Sequence, residues 1–230
     1  MIEKSQLKVA GINLEIARYA AANEQAPTLI FLHEGLGCVD AWRNFPQKLA
    51  EATGCGALVY SRQGYGRSDP CVVPRPLSYM HDEALQVLPE LIRVAEIGKH
   101  ILIGHSDGGS IALIYAGGVS AEGLVGVITE SAHVFCEELS VRSIAVAKEA
   151  FENDGLDVRL KKYHHQNTEC AFWGWNRAWL DPDFMQWNIE EYLSSIKVPL
   201  LAIQGLDDQY GTAAQIDAIA VQAGAGVEVC

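Results

Sequence analysis

Apolar runs bounded by polar and glycine-rich breaks recur along the chain, and their period changes from one segment to the next. Residues 12–16 alternate apolar and polar side chains, as a half-exposed strand near a sheet edge does. Residues 28–33 enclose a continuous apolar run, the pattern of a strand buried on both faces. Segments 56–61, 100–104, 124–129, 199–204 and 227–229 predict further strands. Helical spacings lie between them. Over 40–53, Trp42, Phe45, Leu49 and Ala50 share one side, with Pro46 either in the first turn or breaking the helix. Over 80–97, Ala84, Leu85, Leu88, Leu91, Ile92 and Ala95 recur at helical intervals, with Pro89 a site for a kink. Strands alternating with helices predict right-handed crossovers, hence an α/β fold: a mainly parallel sheet with helices on both faces.

The alternation stops between Phe135 and Lys197, where segments 140–153, 157–165, a tryptophan-rich stretch and 188–196 read as consecutive helices. A helical insertion between two parallel strands lies over the carboxyl edge of the sheet. The pattern therefore predicts an α/β core of residues 1–135 and 198–230 and an inserted helical cap of residues 136–197.

One short run adds chemistry to this scaffold. Ile101-Leu102-Ile103-Gly104-His105-Ser106-Asp107-Gly108-Gly109 joins a buried-strand pattern to the helical pattern that follows, through G-x-S-x-G. A serine on a tight strand-to-helix turn is held clear of its neighbours at the positive end of a helix. Glycines at 104 and 108 let strand and helix approach closely. Ser106 is the candidate nucleophile.

Composition narrows the partners. With 230 residues, 49% hydrophobic and 20% charged, the chain has the makeup of a globular protein able to bury a substantial core. A formal net charge of -12 and no basic stripe argue against nucleic acid and leave a small molecule as the expected ligand. The start shows no signal-peptide pattern and no apolar run reaches membrane-spanning length, so no membrane partner and a cytoplasmic location are expected. Cysteines 38, 55, 71, 136, 170 and 230 lack C-x-x-C pairs and metal-ligand spacing, which predicts reduced packing thiols, no disulfide framework and no structural zinc.

The motifs and their order resemble the α/β-hydrolase fold family over essentially the whole chain. His33-Glu34-Gly35-Leu36-Gly37 is similar to the oxyanion loop after the third strand, and Arg62-Gln63-Gly64-Tyr65-Gly66-Arg67-Ser68-Asp69 to the R-G-x-G-x-S segment after the fourth. Gly104 to Gly109 matches the nucleophile elbow, and Leu200 to Asp208 the strand that ends in the triad acid. The Ser-Asp-Gly-Gly continuation resembles small capped serine esterases of the valacyclovir-hydrolase type.

The resemblance implies a cofactor-independent serine hydrolase. Its oxyanion donors would be the backbone amides of Asp107 and Gly35. Spacing from Gly205 favours Asp208 as the acid, with Asp207 the close alternative and Glu130 a more distant one. The family places its base after the last strand, yet no histidine lies beyond His165, so the histidine is expected in a stretch following Cys230 and the 230-residue chain is expected to be feeble or inactive. His133 is the best local substitute. His105 is expected beneath the turn, His33 to anchor the oxyanion loop, and His164 and His165 to pack or face solvent on a cap helix.

Substrate-facing residues are less determinate. Phe172, Trp175 and Trp179 fall on one helical face, either an apolar wall over the site or an anchor of the cap to the core. Glu34 and Asp107 flank the presumed reaction centre, where carboxylates would favour a cationic group unless each is held in a structural hydrogen bond. Arg62, Arg67 and Asp69 read as structural ion-pairing residues. The expected substrate is a small carboxylic ester, with lactone and amide as neighbouring options. The alternatives are a non-catalytic ligand-binding member of the fold and an inactive fragment lacking the histidine. Loss of the terminal helix would bare a sheet face, which leaves a homodimer open.

Overall fold

The computed structural model describes residues 2–230. Its strands are β1 (Ile2–Val9), β2 (Ile12–Tyr19), β3 (Thr28–Leu32), β4 (Gly56–Tyr60), β5 (His100–His105), β6 (Leu124–Glu130), β7 (Leu200–Ile203) and β8 (Val227–Val229). They form one sheet in the order β1-β2-β4-β3-β5-β6-β7-β8. The first two strands pair antiparallel, β2 pairs antiparallel with β4, and the other neighbours are parallel. This is the mainly parallel α/β architecture that the patterning implies.

Side-chain alternation divides the core between the two faces of the sheet. Leu29, Phe31, Ala57, Val59 and Ile103 pack on one side with Val39 and Ala50, while Ile30, Leu32, Leu58, Tyr60 and Leu102 join the larger cluster on the other. Helix α1 (Phe45–Thr53) covers the first side; the predicted helix over 40–53 is broken, with a 3-10 turn at Val39–Trp42, Arg43 at φ 54° and Pro46 in the first turn of α1. The second side carries α2 (Tyr79–Asp82), which runs through a π-helical turn at Glu83–Val87 into α3 (Leu88–Val94). The wide turn lies just before Pro89, whose ring lacks the N–H of a regular ladder, so the predicted kink takes this form. Helix α4 (Asp107–Gly118) follows β5 and is apolar almost all round, as a helix enclosed by other elements must be.

Four helices separate β6 from β7: α5 (Glu138–Asn153), α6 (Leu156–His164), α7 (Thr168–Trp179) and α8 (Glu190–Leu193). They cohere through aromatic packing, with Phe151 of α5 stacked on Phe172 of α7 at 3.8 Å between ring centroids. Helix α9 (Ala213–Gln222) then leads into β8. The strand at 12–16 is longer than predicted and lies one place in from the edge, with Leu14, Glu15, Ile16 and Ala17 all buried; β1 takes the edge. A shallow groove lined by Ile101, Val125, Ile128, Leu201 and Val227 runs along one face of β5 to β8.

Candidate active site

Every parallel strand points its carboxyl end to one edge, and the chemistry-bearing residues gather there. Strand β5 stops at His105 and α4 begins at Asp107, so the chain reverses on Ser106 alone, at φ 51° and ψ -119°. That backbone is costly for a residue with a side chain and persists only where its surroundings hold it. The Ser106 carbonyl accepts from the Gly109 and Ser110 amides at 2.8 and 3.0 Å, and its own N–H donates to Glu130 O at 2.8 Å. A Cβ on Gly104 would strike the Gly108 carbonyl, and one on Gly108 would strike the carbonyl of Leu32 in β3. The turn is compressed between strand and helix, as the two glycines predict.

Ser106 is half-exposed and opens on a cleft of about 490 Å³, lined also by His105, Glu130, His133, Asp208 and Tyr210. Asp208 is half-buried: its Oδ1 accepts from the amides of Tyr210 (2.8 Å) and Gly211 (3.3 Å), while Oδ2 is buried with no partner. Asp207 also borders the cleft but is exposed. Of the two carboxylates, Asp208 is the one held in one orientation with an acceptor unused. Among the described residues, no histidine bonds to it.

His105 departs from expectation. It lines the cleft beside Ser106 rather than lying beneath the turn, because β6 and β7 end level with it, His105 opposite Glu130 and Glu130 opposite Ile203, and leave that edge open. Burial lowers its pKa, and the charges of Glu130, Asp208 and Asp107 act against that. His133 is 3% exposed, with Nε2 3.1 Å from the Tyr210 carbonyl and its ring against Trp179.

The loop after β3 is fixed by an interior cation. Arg62 is 1% exposed and its guanidinium donates to the carbonyls of His33 and Glu34, while its amide donates to His33 Nε2 at 3.0 Å. His33 Nδ1 therefore carries the hydrogen and donates to Glu34 O at 2.7 Å, so His33 anchors this loop. Burial, with the Arg62 charge beside it, keeps His33 neutral by lowering its pKa well below the usual range. The same guanidinium stands 3.8 Å from Asp107 Oδ2. One residue thus clamps both chain segments that carry the candidate oxyanion amides, Gly35 and Asp107. The Asp107 amide opens α4 and is one of the orphan donors of its first turn.

The Asp107 side chain is committed to the interior. Its Oδ2 accepts from Tyr79 Oη at 2.6 Å, and Tyr79 Oη accepts from Trp179 Nε1 at 3.0 Å. Trp175 lies on Gly35, where a Cβ would collide with its indole. Both tryptophans are more than nine-tenths buried, and neither they nor Glu34 line the Ser106 cleft. His164, fully buried, accepts the Gly66 amide at 3.1 Å and lies 2.8 Å from Leu36 O, tying α6 to the two loops. Arg67 does face Glu15, at 3.8 Å, but Asp69 makes no ion pair among the described residues: its Oδ2 accepts from the Asn13 amide and Nδ2. Tyr79 and His164 carry no motif, and no pattern in the sequence marks them as partners of Asp107 and Leu36.

Glu34 makes stability depend on pH. Burial raises its pKa to about 7, with Arg62 opposing and Asp107 adding to the rise, and its Oε2 is buried without a partner. The unfolded chain releases this proton near 4.5. Between those values the folded state binds more protons, so the contribution is complete below the lower pKa and is lost as pH climbs through the upper one, by at most roughly 3 kcal/mol. Urea unfolding at pH 5 and pH 8 should show Glu34→Gln losing less stability over this interval than the parent. An identical drop in both proteins contradicts the assignment.

Known proteins now place the chain. The model described as the alpha/beta hydrolase family matches residues 29–229, and the chain belongs to that family. A proline iminopeptidase of Lactobacillus helveticus is 24% identical over 230 aligned residues, covering 83% of this chain and 77% of that one. An sn-1-specific diacylglycerol lipase of Danio rerio is 29% identical over 105 residues, 46% of this chain and 31% of the lipase, so the match spans less than a third of that relative. The enol-lactonase of Burkholderia xenovorans LB400 superposes with a TM-score of 0.72 at 18% identity over 98% of this chain and 91% of the other, a likeness of fold. Among the described residues, no helix is long and apolar enough to cross a membrane.

Proposed function

We propose that the chain is a cofactor-independent serine hydrolase in which Ser106 attacks the acyl carbon of a small carboxylic ester, lactone or amide. The observation that carries this reading is the presentation of Ser106 on a left-handed turn into a cleft shared with Asp208, whose Oδ2 is buried and unpartnered. The Ser106 Oγ–carbon bond forms, the alcohol or amine departs with a proton, and water then hydrolyses the acyl-enzyme. The amides of Asp107 and Gly35 receive the charge that develops on the carbonyl oxygen. Asp208 is the acid available to orient an imidazole base, and residues 136–197 act as a cap over this edge. Trp175 and Trp179 shape the site by seating the cap rather than by touching substrate.

His105 and His133 are the imidazoles in the cleft, and neither bonds Asp208. With no imidazole on Asp208 among the described residues, the reaction is expected to be slow, since loss of one triad function costs orders of magnitude in rate. This same observation favours a second reading, a member of the fold that binds ligands without turnover. A fluorophosphonate probe on the purified protein separates them. Stoichiometric labelling of the peptide bearing Ser106, absent in Ser106→Ala and slowed in Asp208→Asn, supports the hydrolase; small-ester binding without labelling supports the receptor, and labelling retained in Ser106→Ala overturns the nucleophile.

A further inference from the structure

Two cysteines with no part in the hydrolytic site meet across the boundary between the loop after β4 and the inserted helices. Cys71 lies in that loop and Cys170 in the first turn of α7, 99 positions later. The Cys71 amide donates to Cys170 Sγ at 3.2 Å, and the Cys170 thiol donates to the Cys71 carbonyl at 3.3 Å. A Cβ on Gly64 would lie 2.6 Å from Cys71 Sγ, 2.7 Å from Cys170 Sγ and 2.6 Å from Arg75 Nη2. Two sulfurs and a guanidinium therefore converge on a single α-carbon, which the glycine, at φ 84°, leaves open to them. Arg75 is held there by the Gln63 carbonyl at 2.7 Å and by the Tyr65 ring, with its stem against Gly174 of α7. Both cysteines are partly accessible, whereas Cys38, Cys55 and Cys136 are buried.

We propose that Cys71 and Cys170 are a redox-active dithiol that a hydroperoxide closes to a disulfide, fastening helix α7 to the loop after β4. Cys170 is the attacking sulfur: it accepts the Cys71 amide at 3.2 Å beside the Arg75 guanidinium, and hydrogen bonding from Cys71 together with that charge lowers its pKa. The Cys71 thiol is raised by the same contact. The Cys170 thiolate takes one oxygen of the peroxide, the O–O bond breaks, and the hydroxide released is protonated to water, leaving a sulfenic acid. Cys71 sulfur then attacks Cys170 sulfur; the S–O bond breaks and hydroxide leaves with the Cys71 proton as a second water. Two thiols and one hydrogen peroxide thus give one disulfide and two waters, with two electrons passing from sulfur to peroxide. Because α7 carries Trp175, seated on Gly35, the bond locks the cover of that loop in place. Thiol–disulfide exchange with a reductant reopens it.

Treatment of the purified full chain with a small excess of hydrogen peroxide, blocking with N-ethylmaleimide and non-reducing peptide mapping tests this. The expected result is a Cys71–Cys170 cross-linked peptide, loss of two of the six thiols, full reversal by dithiothreitol, and a melting temperature several degrees higher when oxidised, as a cross-link closing so long a loop gives. In Cys71→Ser, dimedone should trap a sulfenic acid at Cys170; in Cys170→Ser, Cys71 should stay reduced. Thiol loss confined to Cys230, or oxidation of Cys170 without a cross-link in the parent protein, overturns the proposal. If either serine variant fails to fold, the parent peptide map decides on its own.

Discussion

Replacing Arg62 with methionine should destabilise the protein by about 3–5 kcal/mol, the penalty for removing one partner of a buried charge cluster. The guanidinium is 1% exposed and donates to the His33 and Glu34 carbonyls, while Asp107 and Tyr65 surround its charge. Methionine has similar length and no donors, so the His33 carbonyl loses its partner, the Glu34 carbonyl keeps only His33 Nδ1 and the Gly37 amide, and Asp107 loses its counter-charge, keeping only Tyr79. Lysine at the same place keeps the charge but cannot fork to two carbonyls, and should fall between the two. Urea denaturation measures both variants. A loss under 1 kcal/mol in Arg62→Met would show that the clamp is dispensable. The consequence for the proposed function is direct, because Arg62 holds the segments bearing Gly35 and Asp107 in fixed relation, and the oxyanion donors proposed there would act only when already in position.

The parts of this molecule legible in the sequence are those whose cause is local. Strands β3, β4 and β5 announce themselves as uninterrupted apolar runs because both of their faces are covered. The turn at Ser106 is legible for a related reason: Gly104 and Gly108 sit where neighbouring backbone leaves no room. Strand β1 escapes because residues 3–9, on the rim, include Glu3, Lys4, Ser5, Gln6 and Lys8 and bury little apolar surface beyond Val9. Long-range pairings escape for a different reason. Asp107 could be read as a ligand for a cation or as a structural acid, and only the arrival of Tyr79 and Trp179, from α2 and α7, commits its carboxylate to the interior. Cys71 and Cys170 are likewise unremarkable in a list of scattered thiols until the fold sets them on Gly64. His105 lines the cleft against expectation because the geometry of the elbow alone does not say where neighbouring strands stop.

Substituting alanine for Gly108 should cost about 3 kcal/mol or more, at the upper end of overpacking penalties, because the new Cβ meets the Leu32 carbonyl. That carbonyl belongs to β3, a central strand paired with both β4 and β5, so neither side of the contact is a flexible tip able to move aside. Relief can come only by drawing the start of α4 away from the sheet. Ser106 and the Asp107 amide ride on that end of the helix, and a displacement of about 1 Å is enough to reduce reactivity on the order of a hundredfold. Stability and fluorophosphonate labelling should therefore fall together in Gly108→Ala. Gly126→Ala, in β6, offers the contrast: its Cβ would find neighbours at 3.7 and 3.8 Å, ordinary contact distances, and both properties should stay near those of the parent. Equal behaviour of the two variants in thermal unfolding and labelling would mean that the close approach of α4 to β3 does not set the position of the serine.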